Sequence, residues 1–174
     1  ALLTPIIKAF ITDNGWIATS EAMQVYGGHG YISEWGMEQY VRDARINMIY
    51  EGTNTVQSLD LLGRKILMDN GAKLRKFGEK IKSFVEENGL DENLSEFVTP
   101  LGELGEKVTK LTMEIGMKAF QSPDEVGAAA VPYLRVAGHL VYSYFFAQMA
   151  KIALAKLDSG DKFYEAKLAT ARFY

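Results

Sequence analysis

The sequence predicts an all-α fold, an antiparallel bundle of about six or seven helices that carries additional helices toward its C-terminal end. Apolar residues recur at intervals of three and four over most of the chain, which is typical of helices with one buried face. No alternating apolar and polar pattern longer than about four residues occurs, and the connections are short, which favours antiparallel neighbours.

The length and composition exclude several classes of protein. The 174 residues correspond to about one domain, and 48% hydrophobic with 24% charged residues is typical of a globular chain. A net charge of -3 argues against nucleic-acid binding, and no apolar run is long enough to span a membrane. With no cysteine and two histidines, no metal site is expected, and the composition favours a cytoplasmic location.

The first predicted helix starts at Thr4, as N-cap, with Pro5 in its first turn, and continues to about Tyr26. The glycine-rich segment 27–30 ends it, because clustered glycines supply the positive φ angles of a helix terminus. Residues 31–53 have an irregular apolar pattern, which indicates a short helix and a loop.

The next predicted helix begins at Thr53 or Asn54, with Gln57 in the reciprocal position of a capping box, and stops near Asn70. Residues before Asn70 are rich in glycine, aromatic residues and asparagine, and those after it are rich in lysine, glutamate and leucine. We therefore predict a site-bearing part at 1–70 and a packing part at 71–174.

Four further helices are predicted in the second part. A surface helix covers 73–87, and a long run follows over 91–122, with Pro100 near its start or at a kink. The third, over 123–159, is apolar on all sides and is expected to be buried, with His139 as a hydrogen-bonded core residue and residues 144–149 as core packing. Asp161 caps the last helix.

The strongest candidate for chemistry is Glu51, which follows an apolar run and precedes a glycine and a helix start. A carboxylate there can act as a general base, or it can only support the N-terminus of the next helix. Gly27 and Gly28 allow close backbone approach to a phosphate, although a pair of glycines after a helix is more often a plain helix-ending turn. They are not a dinucleotide fingerprint, because no strand precedes them.

Three segments, in this order and spacing, resemble the C-terminal helical domain of the acyl-CoA dehydrogenase family. They are QVYGGHGY at 24–31, VRDAR at 41–45 and IYEGTN at 49–54 with Gln57, and the likeness covers about residues 1–68. The remainder resembles the C-terminal extension of a long, 3-methylmercaptopropionyl-CoA dehydrogenase-like subgroup, through residues 133–139 and 163–173.

The resemblance implies a flavoprotein with an N-terminal helical domain, a middle β domain and this C-terminal bundle, with FAD held between domains and across a subunit interface. It implies that the parent enzyme oxidises acyl-CoA to 2-enoyl-CoA, in fatty acid metabolism. It further implies that the electrons pass to an electron-transfer flavoprotein and that the enzyme is a homo-oligomer, expected to be a homodimer. This chain is then expected to be an inactive part of the enzyme. The alternatives are an acyl-CoA oxidase or a non-catalytic helical assembly module.

The resemblance also assigns roles to individual residues. Glu51 is the catalytic base, and its backbone N–H hydrogen-bonds the thioester carbonyl. The other implied site residues bind substrate or cofactor: Tyr50 and Gly52 line the acyl pocket, Thr53 contacts FAD in its own subunit, and Gln24, Gly27 and Gly28 reach the FAD of a neighbouring subunit. Thr55 departs from the pattern, because many relatives carry Glu or Gln at that position.

Overall fold

The computed structural model describes residues 2–174, and within that range the chain forms α-helices and no β-strand, which confirms the all-α prediction. Short π-helical and 3-10 segments interrupt or join the helices. The α-helices are, in chain order, α1 Thr4–Ile6, α2 Thr12–Val25, α3 Gly28–Tyr31, α4 Met37–Ile49, α5 Asn54–Leu59, α6 Ala72–Asn88, α7 Ser95–Gln121, α8 Asp124–Leu154 and α9 Lys162–Phe173.

Two compact units make up the chain. One contains the chain up to Gly71 together with Ser122–Arg135, and the other contains Ala72–Gln121 together with Val136–Tyr174. The long helix α8 therefore contributes its first three turns to the first unit and its remainder to the second.

An antiparallel helical hairpin dominates the first unit. Its first arm runs without a break from α1 through the π-helical stretch Ile7–Ile11 into α2, and α4 is its second arm. The Arg45 guanidinium on α4 lies 5.7 Å from the ring centre of Trp16 on α2. Near the start of the same arm, Lys8 Nζ lies 6.0 Å from the ring centre of Tyr50, which directly follows α4. The two arms therefore run in opposite directions, with the glycine-rich turn at the far end.

The prediction of a short helix and a loop for residues 31–53 is wrong, because α4 alone spans 13 residues. Gly36, with φ of 71°, precedes it and turns the chain back toward α2. No α4 side chain is fully buried, so the helix lacks the regular apolar stripe by which a sequence pattern identifies a helix.

The start of the first helix also differs from its prediction. Thr4 is the first helical residue rather than the N-cap, which is Leu3, and no side chain caps this terminus. The expected end is confirmed, because α2 stops at Val25 and Gly27 has φ of 60°. The segment after α5 ends as predicted at two left-handed residues, Asn70 with φ of 52° and Gly71 with φ of 72°.

In the second unit, α6 and α7 pack against each other in antiparallel directions. A Cβ atom added at Gly102 would lie 3.5 Å from Val85 Cγ1, and one at Gly105 would lie 3.8 Å from Ile81 Cγ2. These small residues on α7 allow the helices to approach closely. Pro100 lies inside α7, near its start, and α7 begins at Ser95, four residues after the predicted start at Asp91.

The expectation that α8 is buried on all sides is only partly correct. Phe145 is 44% exposed, Met149 36% and Ile152 57%, so one stripe of the helix faces outward within the described chain. His139 is hydrogen-bonded but exposed, rather than a core residue: its Nδ1 lies 2.7 Å from the hydroxyl of Tyr174, and the two rings stack. Asp161 caps α9 as predicted, accepting from a backbone N–H.

Candidate active site

The predicted catalytic segment forms a tight left-handed turn between α4 and α5. Tyr50 is extended, with φ of -87° and ψ of 167°, and Thr53 returns to an extended conformation at the N-cap of α5. Between them, Glu51 has φ of 57° and Gly52 has φ of 94°. A left-handed conformation costs a residue with a side chain about 1–2 kcal/mol, so other contacts must hold Glu51 in it.

The side chain of Gln57 provides such a contact. Its Nε2 donates a hydrogen bond to the carbonyl oxygen of Glu51 at 3.0 Å. The expected capping box with Asn54 is therefore wrong, because the amide of Gln57 closes the preceding turn instead. A Cβ at Gly52 would approach Gln57 Nε2 to 2.9 Å, so the absence of a side chain there leaves room for the amide.

A second hydrogen bond ties this turn to the first helical arm. Asn54 Nδ2 donates to Asp13 Oδ2 at 2.7 Å, across 41 residues of sequence. The other oxygens of this pair, Asp13 Oδ1 and Asn54 Oδ1, are buried and have no hydrogen-bond partner among the described residues, and the same holds for Lys8 Nζ on the first arm.

The carboxylate of Glu51 is exposed in the described chain, and Tyr50 is 48% exposed, with its hydroxyl donating to Asn47 Oδ1 at 3.0 Å. Residues 2–174 therefore do not by themselves form the enclosed, apolar site that the family resemblance implies. They present a carboxylate at an ordered turn, next in sequence to a half-exposed tyrosine.

The glycine-rich turn is open to approach from outside. Gln24, Gly27 and Gly28 are exposed, and a Cβ added at Gly27 or Gly28 would meet no atom within 4 Å. Gly30 differs, because its Cβ would lie 2.6 Å from the Met23 carbonyl oxygen, so close packing explains that glycine. The backbone at Gly27 and Gly28 can thus be reached by a ligand.

The structure does not bring the glycine-rich turn and the Glu51 turn together within one chain. The Glu51 turn is tied to the first arm at Asp13, and Gln24 lies eleven residues further along that arm. At about 1.5 Å per helical residue, the two regions are separated by roughly 16 Å along the helix.

Thr53 occupies the N-cap position of α5, but its side chain makes no capping hydrogen bond. The residue is exposed, so its hydroxyl is available to a ligand that lies beside the turn. Among the residues that the structure describes, no group of three or more His, Asp or Glu side chains could hold a metal ion. None of the helices described is both long and apolar enough for a membrane span.

Sequence reasoning missed Lys8, Asp13 and Asn54 as parts of this site. The available signal was a lysine and an aspartate placed five residues apart within an otherwise apolar stripe. A spacing of five puts two side chains on different faces of a regular α-helix. Lys8, however, lies inside the π-helical stretch Ile7–Ile11, whose wider turn changes this relation.

Family comparisons agree with this geometry. Residues 2–67 match the family described as acyl-CoA dehydrogenase, C-terminal domain. Residues 77–174 match the one described as acetyl-CoA dehydrogenase C-terminal like. Both matched regions are all-helical in this structure. The chain belongs to the acyl-CoA dehydrogenase family.

Three curated relatives show how much of such a protein this chain represents. It is 35% identical over 175 residues to 3-methylmercaptopropionyl-CoA dehydrogenase of Ruegeria pomeroyi, covering 99% of this chain and 30% of the relative. It is 30% identical to the broad-specificity linear acyl-CoA dehydrogenase FadE5 of Mycobacterium tuberculosis, and the match covers 99% of this chain and 30% of the relative. A butyryl-CoA dehydrogenase of Syntrophomonas wolfei is 29% identical, and the match covers 98% of this chain and 29% of the relative. The chain thus spans about 30% of the length of these relatives.

Proposed function

We propose that this chain is the C-terminal part of a FAD-dependent acyl-CoA dehydrogenase in which Glu51 is the catalytic base. The observation that carries the proposal is the turn at Glu51 and Gly52, held in a left-handed conformation by Gln57. This turn lies within the residues that match the C-terminal domain of the family.

The reaction assigned to this turn is removal of two hydrogens from an acyl thioester. A carboxylate oxygen of Glu51 takes the proton from the carbon next to the thioester carbonyl, while the backbone N–H of Glu51 donates to that carbonyl and stabilises the developing negative charge. Bound FAD supplies the acceptor for the hydride that leaves the β-carbon. The products are 2-enoyl-CoA, reduced cofactor and a protonated Glu51 side chain.

Substrate contacts in the proposal come from the residues on either side of the base. Tyr50 presents a half-exposed ring beside Glu51 and lines the acyl pocket. Gly52 has no side chain, so the thioester can approach the backbone of the turn. The remaining walls of the pocket come from parts of the protein outside this chain, in agreement with the exposure of Glu51.

Two separate surfaces would hold FAD. Thr53, whose hydroxyl is not used in capping, contacts the cofactor in its own subunit. Gln24, Gly27 and Gly28, which are exposed, contact the FAD of a neighbouring subunit, as the family resemblance implies. The proposal therefore requires a homo-oligomer, for which a homodimer is sufficient.

Exposed apolar side chains around the glycine-rich turn support such an interface. Large exposed patches of this kind are typical of surfaces that another protein part covers. The exposed apolar and aromatic residues from the last residue of α2 to the first turn of α4 are Val25, Tyr26, Tyr31, Ile32, Trp35 and Tyr40. We extend the proposal to a cytoplasmic enzyme of fatty acid metabolism that passes its electrons to an electron-transfer flavoprotein.

The experiment is an acyl-CoA-dependent dye-reduction assay on the full-length protein and, in parallel, on the 174-residue chain. We expect reduction by the full-length protein with at least one acyl-CoA of a chain-length series, no hydrogen peroxide, and no turnover by the 174-residue chain. Peroxide formed in proportion to product would identify an acyl-CoA oxidase. Absence of reduction with every acyl-CoA, in a protein that contains FAD, would favour the assembly module.

A further inference from the structure

We propose that Gln57 is a positioning residue for the base: by donating to the Glu51 carbonyl, its side-chain amide fixes the left-handed backbone from which the carboxylate projects. This inference rests on the proposed role of Glu51. It concerns a residue six positions further along the chain, which acts through the backbone of Glu51 and not through substrate or cofactor.

The backbone at Glu51 needs an external restraint. Within residues 2–174, the non-glycine residues with positive φ are Glu51 and Asn70. Asn70 has a local reason, because asparagine tolerates this conformation and precedes Gly71 at a helix terminus. Glutamate has no such tolerance, so its conformation at 57° persists only where neighbouring contacts impose it.

Gln57 is suited to impose it because its own backbone is fixed. Its N–H donates to the Thr53 carbonyl at 3.0 Å, the first helical hydrogen bond of α5. From this anchored position the side chain reaches back six residues to the Glu51 oxygen, also at 3.0 Å. The glycine at 52 leaves the space through which the amide passes. One end of this link therefore belongs to the helix and the other to the turn.

Loss of the amide donor would free the peptide between Glu51 and Gly52 to rotate. The carboxylate and the N–H of Glu51 would then no longer be held in one geometry relative to a bound thioester. A displacement of about 1 Å in a reacting group can lower a rate about 100-fold. We therefore expect a kcat loss of about 10-fold to 100-fold with little change in KM, since the binding contacts stay in place.

The test uses the full-length protein with its FAD and three variants. Gln57→Leu removes the donor at similar size. Gln57→Glu keeps the size but cannot donate as a carboxylate, although it regains an O–H donor when protonated. Gln39→Leu is the matched control, because Gln39 is exposed and its amide donates to Asp43 Oδ1 within the single helix α4. The rate of flavin bleaching on mixing with acyl-CoA is followed against pH, with FAD content and melting temperature measured for each.

The inference predicts slow bleaching in Gln57→Leu at all pH values and normal bleaching in Gln39→Leu. It also predicts that the rate of Gln57→Glu, relative to the unmodified protein, rises as the pH falls. If Gln57→Leu loses FAD or stability, the test depends on Gln57→Glu. A bleaching rate of Gln57→Glu, relative to the unmodified protein, that does not change with pH overturns the inference. Bleaching by Gln57→Leu at the rate of Gln39→Leu overturns it as well.

Failure of the proposed function gives a different result. If the unmodified protein does not bleach with acyl-CoA, or if Glu51→Gln bleaches at the unmodified rate, then Glu51 is not the base whatever Gln57 does. If Glu51→Gln is inactive while Gln57→Leu and Gln57→Glu both bleach at the unmodified rate, Glu51 is the base and the positioning role of Gln57 is wrong.

Discussion

The side-chain amide of Asn54 donates to the carboxylate of Asp13 at 2.7 Å, joining the start of α5 to the first helical arm. Asn54 lies three residues after Glu51, and Asp13 and Asn54 are both partly buried. The remaining oxygens of the two side chains, Asp13 Oδ1 and Asn54 Oδ1, have no hydrogen-bond partner among the described residues, so this bond is the one that each side chain makes.

Replacing Asp13 should therefore destabilise the protein. In Asp13→Ala the Asn54 amide stays covered without an acceptor, and an unsatisfied group of this kind costs about 1–3 kcal/mol. Thermal unfolding of the full-length protein measures the loss. Asp43→Ala is the control, since Asp43 accepts from Gln39 on an exposed surface, and its effect should stay within about 0.5 kcal/mol. Equal melting temperatures for the two variants would show that the link carries no stability.

Asp60 should make the stability of the first unit sensitive to acid. Burial alone raises the pKa of its carboxyl, but hydrogen bonds from Lys65 and Arg64 outweigh this and bring the pKa below the usual 3.8. The carboxylate thus stabilises the fold above about pH 4, and this contribution is lost as the pH falls through the lowered pKa. Asp60→Asn should be less stable than the unmodified protein at neutral pH, and the difference should shrink as the pH falls through the lowered pKa of Asp60. A stability difference that stays constant from neutral pH into acid would contradict this.

Asp161 should set the start of α9. Its Oδ1 accepts from the Phe163 N–H at 2.9 Å, and removal of an N-cap of this type costs about 1 kcal/mol. Asp161→Ala should therefore increase amide hydrogen exchange in the first turn of α9, whereas Asp158→Ala, an exposed aspartate in the preceding 3-10 turn, should leave it unchanged. Unchanged exchange in Asp161→Ala would show that packing alone defines this terminus.

Tyr174 should titrate late in alkali. Burial, reinforced by the nearby Tyr142, raises the pKa of its hydroxyl to about 12. Because the folded pKa lies above the usual 10.0, the associated stability is complete below about pH 10 and is lost as the pH rises toward the folded value. Tyr174→Phe keeps the ring on Phe146 but removes this titration. In a tyrosinate absorbance titration, Tyr174→Phe should lose one ionisation near pH 12. Loss of an ionisation near pH 10 instead would disprove the assignment.

Local sequence signals predicted much of this fold, for identifiable reasons. Gly27 and the Asn70-Gly71 pair mark helix ends because few residues adopt positive φ, and Asp161 marks a helix start because its carboxylate accepts backbone N–H bonds. The amphipathic helix α6 was predicted to within one residue at each end, because its buried side chains recur at helical spacing.

Structural features that depend on residues distant in the sequence could not be predicted from local patterns. The helix α4 has no fully buried side chain, so its pattern resembles a loop, and Phe145 on α8 is apolar but exposed. The hydrogen bond between Asp13 and Asn54 joins residues too far apart in sequence for any local pattern to indicate. For the site, the motif identified Glu51, but only the backbone angles and the Gln57 contact showed how the turn is held.

The central claim is that the carboxylate of Glu51 removes a proton from an acyl-CoA thioester. The most direct test is rapid mixing of acyl-CoA with the full-length flavoprotein carrying Glu51→Gln, with Glu103→Gln as a control at an exposed carboxylate on α7. Our account predicts normal FAD content in both variants, normal bleaching in Glu103→Gln, and bleaching slowed at least about 1,000-fold in Glu51→Gln, as expected when a general base is lost. Bleaching of Glu51→Gln at the rate of the control would contradict the account.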